Sequence, residues 1–306
     1  MTKCRICGSD LRSRVPYNPP NGNPKWKKIV KNLLPHFDFI IPASFPLLKK
    51  HSGSNLLFRG HISVCRNCGY GVMENPPSRQ QLQKYYKKAY WSERTEMVED
   101  ATVGESDCLN NPRANHQISF LLEDLDCSQI KNVLEIGAGA AYASLLLREK
   151  CIGLSDLELH VCEPGKQWGN YYRHQNVNKL ADYFPFKTEV KFDHIHTSHW
   201  LEHVRDLDET LSDLNSILDQ SGSVFVEVPN TEHYYWGLPP EHIPHIHFFT
   251  RWSLEKAFEL HGFKCLNIGE FGITYPQWHS GAALTPDKFG VGDKGFWIRA
   301  LFKKKS

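Results

Sequence analysis

Val133-Leu134-Glu135-Ile136-Gly137-Ala138-Gly139-Ala140-Ala141-Tyr142 is the stretch whose reading decides the fold. Its first half is apolar and suits a buried strand. Its second half is small residues that open into Ser144-Leu145-Leu146-Leu147, the start of a helix. Gly137 and Gly139 let the backbone come close to a ligand, because a Cβ there would collide with it. In a dinucleotide fingerprint the third glycine would fall at position 142, where this chain has Tyr142. Glu135 is poorly placed for a pyrophosphate and better suited to a cationic or hydroxyl-rich ligand.

From residue 131 to about 303 strand and helix patterns alternate, which predicts a parallel sheet covered by helices on both faces. Leu157-Glu158-Leu159-His160-Val161-Cys162-Glu163-Pro164 reads as the second strand, with Pro164 opening the next helix. Glu163, at the strand's end, is positioned to accept both hydroxyls of an adenosine ribose. Phe192 to Thr197 reads as a further strand ending at Ser198 and His199, on the edge where ligands of doubly wound sheets sit. Asp206–Asp219 carries Leu207, Leu211, Leu214 and Leu218 at helical spacing, with Gly222 as its expected end cap and Val224–Asn230 as the fifth strand. Thr250 is expected to cap a helix reaching Leu260. Phe263–Glu270 and Phe296–Phe302 are expected to pair antiparallel.

The N-terminal part carries different chemistry. Cys4-Arg5-Ile6-Cys7-Gly8 and Cys65-Arg66-Asn67-Cys68-Gly69 share one form, two cysteines spaced by two and then a glycine. Two such knuckles supply four thiolates for tetrahedral zinc, and four protein ligands leave no open position, so the metal is expected to be structural. Between them, residues 11–60 carry nine Lys/Arg against one acid, Asp38, with interleaved aromatics. Two readings stay open for this insert: an irregular lobe packed on the main domain, or a handle for an anionic or nucleic-acid ligand. The other five cysteines (Cys108, Cys127, Cys151, Cys162, Cys265) are scattered.

Net charge is only +2, so nothing global favours nucleic acid or membrane. No apolar run approaches a membrane span and Met1–Arg5 has no apolar leader, so a cytoplasmic protein is expected. Residues 91–110 are polar and read as a loop or lid, and Ala114–Leu125 as a helix before the main domain.

Three motifs carry a resemblance. Glu-x-Gly-x-Gly at 135–139 resembles the first motif of class I S-adenosylmethionine-dependent methyltransferases. Cys-x-x-Cys-Gly at 65–69, then Ser78, Leu82, Tyr85-Tyr86 and Tyr90-Trp91, resembles the zinc-bearing segment fused to one branch of that class. Phe192-Asp193…Ser198-His199-Trp200-Leu201-Glu202-His203-Val204 resembles the branch's fourth motif. That branch includes deoxysugar C-methyltransferases and proteins of polysaccharide pathways.

The resemblance implies a Rossmann-like, seven-stranded α/β sheet with its last strand antiparallel. Its implied divisions are a zinc-ribbon lobe over 1–80, a bridge over 81–130 and the cofactor-binding domain over 131–306. The implied cofactor contacts are Glu135, Gly137, Ala138, Gly139, Glu163, Asp182, Tyr183, Ser198 and His199. Asp182 is implied to accept from the adenine amino group, Phe184 or Tyr183 to stack on the adenine, and Tyr86 or Tyr90 to lie near the site. His245 matches the branch's catalytic base, with His199 and Tyr90 as second choices. The glutamate that precedes this histidine in C-methylating relatives is Pro244 here, which leaves O-, N- and C-methylation open. His203 is read as a loop-holding histidine, and a metal site at His242, His245 and His247 is disfavoured by the neighbouring prolines. The expected acceptor is a sugar, sugar nucleotide or related metabolite. An RNA methyltransferase gripping RNA through the zinc lobe, and an inactive cofactor-binding partner subunit, are the alternatives. Oligomeric state is not legible.

Overall fold

The structure is a computed structural model, and it describes residues 3–11, 13–17, 60–87, 110–151, 153, 156–231, 245–274, 276–277, 280–282, 285–290 and 294–305. The insert apart from 11, 13–17 and 60, Tyr90, residues 91–109 and the 232–244 stretch with Pro244 lie outside the described residues.

In the N-terminal lobe, β1 (Ser13–Tyr17), β2 (Gly60–Val64) and β3 (Gly71–Met73) form an antiparallel ribbon. Helix α1 (Arg79–Tyr85) follows, started by a capping box in which Ser78 Oγ accepts the Gln81 N–H and the Gln81 side chain accepts the Ser78 N–H. Helix α2 (Pro112–Leu122) is capped by Asn111, with proline at its first position, where a missing N–H costs nothing.

The main sheet then builds in alternation. Strand β4 (Asn132–Ile136) leads to α3 (Tyr142–Lys150), and β5 (Glu158–Cys162) to α4 (Gly169–His174). Strands β6 (Val177–Ala181) and β7 (Phe192–Ser198) follow, then α5 (Leu207–Ile217) and β8 (Leu218–Pro229). A two-residue strand β9 (His247–Phe248), helix α6 (Arg251–Leu260), β10 (Phe263–Thr274) and β11 (Gly295–Lys304) complete the chain. The order across the sheet is β10-β11-β8-β7-β4-β5-β6. β4 to β8 run parallel, and β11 lies antiparallel between β8 and β10, as the resemblance implies. Leu207, Leu211 and Leu214 of α5 are fully buried against this sheet.

Two expectations change, and one cysteine pair is new. Gly222 does not cap α5. The chain passes straight from Ile217 into β8, and Gly222 lies in that strand, where a Cβ would come within 2.9 Å of the Phe192 carbonyl oxygen. Its absence of a side chain serves close strand packing. Pro164 does not open a helix; a 3-10 turn starts only at Lys166, because Glu163 Oε1 accepts the Gly165 N–H and holds 163–165 extended. Cys127 and Cys151, far apart in sequence, are joined as a disulfide.

The two lobes share a sheet. β9 pairs with β3 (Gly71 opposite Phe248, Val72 opposite His247), so a segment from the main domain supplies the fourth strand of the N-terminal ribbon. The Met73 N–H donates to the Ile246 carbonyl at 2.8 Å, and Tyr70 Oη meets His247 Nδ1 at 2.6 Å. Thr250 Oγ1 both caps α6 and donates to the Cys68 carbonyl at 2.8 Å.

Glu135 is almost fully buried, and its Oε2 accepts the Ser144 N–H at 3.0 Å, satisfying a donor in the first turn of α3. Burial pushes its carboxyl up to about 7 from an ordinary value near 4.5, with the Glu163 charge adding to the rise. The unfolded chain gives up this proton above about 4.5 and the folded one only near 7. The stability this group contributes is therefore present at low pH and lost as pH rises through that window. Glu135→Gln keeps an oxygen acceptor and cannot ionise. Urea unfolding is expected to find it more stable than the parent at pH 8, by up to about 3 kcal/mol, with the gap shrinking toward pH 5. A pH-independent gap would refute the buried, late-titrating carboxyl.

Candidate active site

The turn after β4 has an unusual backbone. Gly137 (φ +70°), Gly139 (φ +51°) and Ala141 (φ +54°) are all left-handed, so the chain reverses in a few residues and presents backbone to the cavity above. At Gly137 a Cβ would meet Trp200 Cβ at 3.1 Å, which makes the lack of a side chain a steric requirement. Gly137 and Gly139 form the floor of the cavity; Ala138 and Glu135 do not line it.

One wall is acidic. Glu163, at the end of β5, is buried. Its Oε2 accepts the Gly139 N–H at 3.0 Å and its Oε1 the Gly165 N–H at 2.7 Å. A carboxylate oxygen can accept more than one hydrogen bond, so a further donor such as a hydroxyl suits this group. Tyr172 Oη, donating to the Gly139 carbonyl, fixes the other side of the turn. Asp182, Tyr183 and Phe184 after β6 also line the cavity. Asp182 pairs with Lys179 at 2.7 Å, and the Tyr183 hydroxyl donates to the Gln83 carbonyl of α1 at 2.9 Å, tying this loop to the bridge. Phe184 packs edge-on to Trp200, centroids 5.7 Å apart.

The opposite wall carries imidazoles. His199 and His203 line the cavity, and so does Tyr86, whose ring lies 6.1 Å from that of His203. His199 is held left-handed at φ +53°. Its Nε2 meets the Arg113 guanidinium and its Nδ1 lies 3.2 Å from Glu202 Oε1. A guanidinium only donates, so Nε2 is the accepting nitrogen and Nδ1 carries the proton. The lone pair of His199 is thus already used. His245, 4% exposed, lies just behind the wall, its ring 5.0 Å from His203 and its Nε2 3.9 Å from Glu202 Oε1.

Beneath His199 sits a polar network that the sequence did not reveal. Glu227 of β8 is fully buried and accepts from Arg113 Nε at 2.7 Å, Gln117 Nε2 at 2.9 Å, Ser198 Oγ at 3.2 Å and Arg299 Nε. Burial alone would raise its carboxyl, but Arg113 and Arg299 outweigh it and hold the group well below the usual range. Ser198, expected against the cofactor, spends its hydroxyl here and does not line the cavity. Trp200, Arg113 and Glu227 were not singled out. Their partners lie tens to more than a hundred residues away in sequence, so no local pattern marks them.

In the N-terminal lobe the four knuckle cysteines converge. Cys4 and Cys68 Sγ are 3.6 Å apart, Cys7 and Cys65 Sγ 3.5 Å, and all four lie within 4.8 Å of one another. A tetrahedron with Zn–S bonds of 2.3 Å has S···S edges of about 3.8 Å, so the donor set fits zinc in both type and spacing.

A family model described as a methyltransferase domain matches residues 110–268. None of the curated proteins matches the chain. Among solved structures the chain is similar to a possible histamine N-methyltransferase from Thermotoga maritima (20% identity, 63% of this chain and 89% of that one, TM-score 0.47). It is also similar to the N-methyltransferase NodS from Bradyrhizobium japonicum (16% identity, 71% and 98%, TM-score 0.46). A putative sarcosine dimethylglycine methyltransferase from Galdieria sulphuraria is a further neighbour (13% identity, 63% and 85%, TM-score 0.47). None of these likenesses says which acceptor this chain uses. Because the family model spans more than half of the chain, the protein belongs to the methyltransferase-domain family and is an S-adenosylmethionine-dependent methyltransferase.

Proposed function

We propose that the enzyme methylates a small molecule, a sugar, sugar nucleotide or related biosynthetic metabolite, at an oxygen, nitrogen or carbon. One observation carries this reading: the glycine floor, the acidic wall and the imidazole wall belong to a single cavity. A donor held at the first two would present its methyl group toward the third. In this arrangement Glu163 accepts the ribose hydroxyls and Asp182 the adenine amino group, with Tyr183 and Phe184 beside the base. Gly137 and Gly139 let the backbone approach the donor closely. S-adenosylmethionine supplies a methyl group already activated by its sulfonium charge. What remains for the chain is alignment, exclusion of water and acceptance of the acceptor's proton.

That proton falls to the imidazole pair His203 and His245. His245 follows from the resemblance, and His203 stands on the cavity wall beside it. His199, its accepting nitrogen engaged by Arg113, serves as a link between the two polar clusters. Cys4, Cys7, Cys65 and Cys68 hold one zinc ion, which has no chemical role. It fixes the ribbon on which β9, and with it the His245 segment, is paired.

Two experiments test this reading. The purified chain is expected to carry one zinc per molecule by elemental analysis. Cys65→Ser is expected to lose it and to melt several degrees lower; metal-free parent protein of equal stability would contradict the structural zinc. With methyl-labelled S-adenosylmethionine and separate panels of nucleotide sugars and RNA, label is expected in a small-molecule acceptor. His245→Ala is expected to slow that transfer at least about 100-fold with S-adenosylhomocysteine affinity preserved. Label in RNA, or unchanged turnover in the variant, would overturn the proposal.

A further inference from the structure

Glu202 is a buried carboxylate with an unusual set of neighbours. It sits in the 3-10 turn Leu201–His203 after β7 and is 1% exposed. Around its Oε1 lie His199 Nδ1 at 3.2 Å, His203 Nε2 at 3.6 Å and His245 Nε2 at 3.9 Å. Neither carboxylate oxygen has an aligned hydrogen-bond donor among the described residues. Three imidazoles therefore converge on one carboxylate without closing on it, as contacts at reaction centres commonly do before substrate tightens them. The backbone makes this juxtaposition rigid, because the Ile246 N–H donates to the Glu202 carbonyl at 2.7 Å. The turn bearing Glu202 and the segment bearing His245 cannot separate without breaking that bond.

We propose that Glu202 is the positioning residue of the reaction: it selects the Nε2–H tautomer of His203 and His245, leaving Nδ1 as the accepting nitrogen, and pairs with the imidazolium formed when the proton arrives. The inference rests on the reading that this imidazole pair takes the acceptor's proton. The carboxylate is ionised: burial alone would raise it, but His203 and His199 together hold it below the ordinary range. With His199 Nε2 accepting from Arg113, its protonated nitrogen is Nδ1, the one that lies 3.2 Å from Glu202 Oε1. The two remaining imidazoles also turn Nε2 toward the same oxygen, and a hydrogen bond at one ring nitrogen sets which nitrogen keeps its lone pair.

The step balances simply. The acceptor atom forms its bond to the methyl carbon, the methyl–sulfur bond breaks, and sulfur keeps that electron pair as a neutral thioether. The acceptor's proton passes to imidazole Nδ1. The resulting cation lies beside an anion, so no buried charge is left unpaired. Among the described residues, the other charged and titratable groups near the cluster include Arg113 and Glu227, reached through His199, Tyr86 beside His203, and the buried His247, which feels the His203 charge.

Nitrogen-15 NMR of the zinc-loaded full chain tests this without knowing the acceptor. In the parent, His203 and His245 are expected as Nε2–H tautomers at high pH. In Glu202→Gln their proton affinity is expected to fall at least tenfold, with restoration toward the parent in Glu202→Asp. Calorimetric binding of S-adenosylhomocysteine is expected to stay within a few-fold of the parent's in both variants. Nδ1–H tautomers in the parent overturn the proposal, and this arm needs no variant to fold. Unchanged imidazole titration in Glu202→Gln with the ligand still bound also overturns it. A second bound metal per chain, lost in that variant, overturns it by making the cluster a metal site. Loss of S-adenosylhomocysteine binding by the parent itself would instead count against the proposed function.

Discussion

The site depends on a backbone reversal that two buried carboxylates hold in place. Between Gly137 and Ala141 three residues are left-handed, and Ala141 adopts that conformation despite its Cβ, at a cost of about 1–3 kcal/mol. Glu163 receives the Gly139 N–H, within the turn, and Glu135 the Ser144 N–H, in the helix that follows it. Without them one buried and one half-buried amide group would lose their partners, a cost comparable to the strain itself. The same hydrogen bonds explain why both acids are tolerated in the interior. They also explain why only Glu163 reaches the cavity: its bonds are made from the rim of the turn, whereas Glu135 is spent beneath the helix it anchors.

A second constraint joins the lobes. β9 is only two residues long and would not persist alone, yet it sits between a strand of the cysteine ribbon and the helix that Thr250 caps. Tyr70 with His247 and Thr250 with Cys68 add polar ties across the same seam. Gly69 belongs to this seam too, since a Cβ there would fall 2.4 Å from a Thr250 methyl carbon. The glycine after the second knuckle thus serves lobe docking as well as its own turn at φ +72°. The consequence for chemistry is direct. His245 lies two residues before β9, so the ribbon sets where its imidazole stands.

Much of this was legible in the sequence where the signal is local. The glycine turn, the acid ending β5, the alternation of strands and helices, the Thr250 cap and the two cysteine knuckles are short patterns whose physics is contained within a few residues. What escaped was long-range. Gly222 looks like a helix stop in sequence, and only the approach of Phe192 makes it a packing glycine. Cys127 and Cys151 carry no spacing that marks them as a pair. Position 244 holds proline where the resemblance would want a glutamate beside His245. The carboxylate that stands near that imidazole in space is Glu202, 43 positions earlier in the chain. Its quartet Leu201-Glu202-His203-Val204 was visible as a motif, but the convergence of three imidazoles on it was not.

The central claim is that the floor and acidic wall of the cavity are shaped for an adenosyl sulfonium and not for a dinucleotide. Titration calorimetry of the intact, zinc-replete chain measures this most directly. The account predicts saturable heat with S-adenosylhomocysteine and none with a nicotinamide dinucleotide. Silence with the first and clear affinity for the second would contradict it.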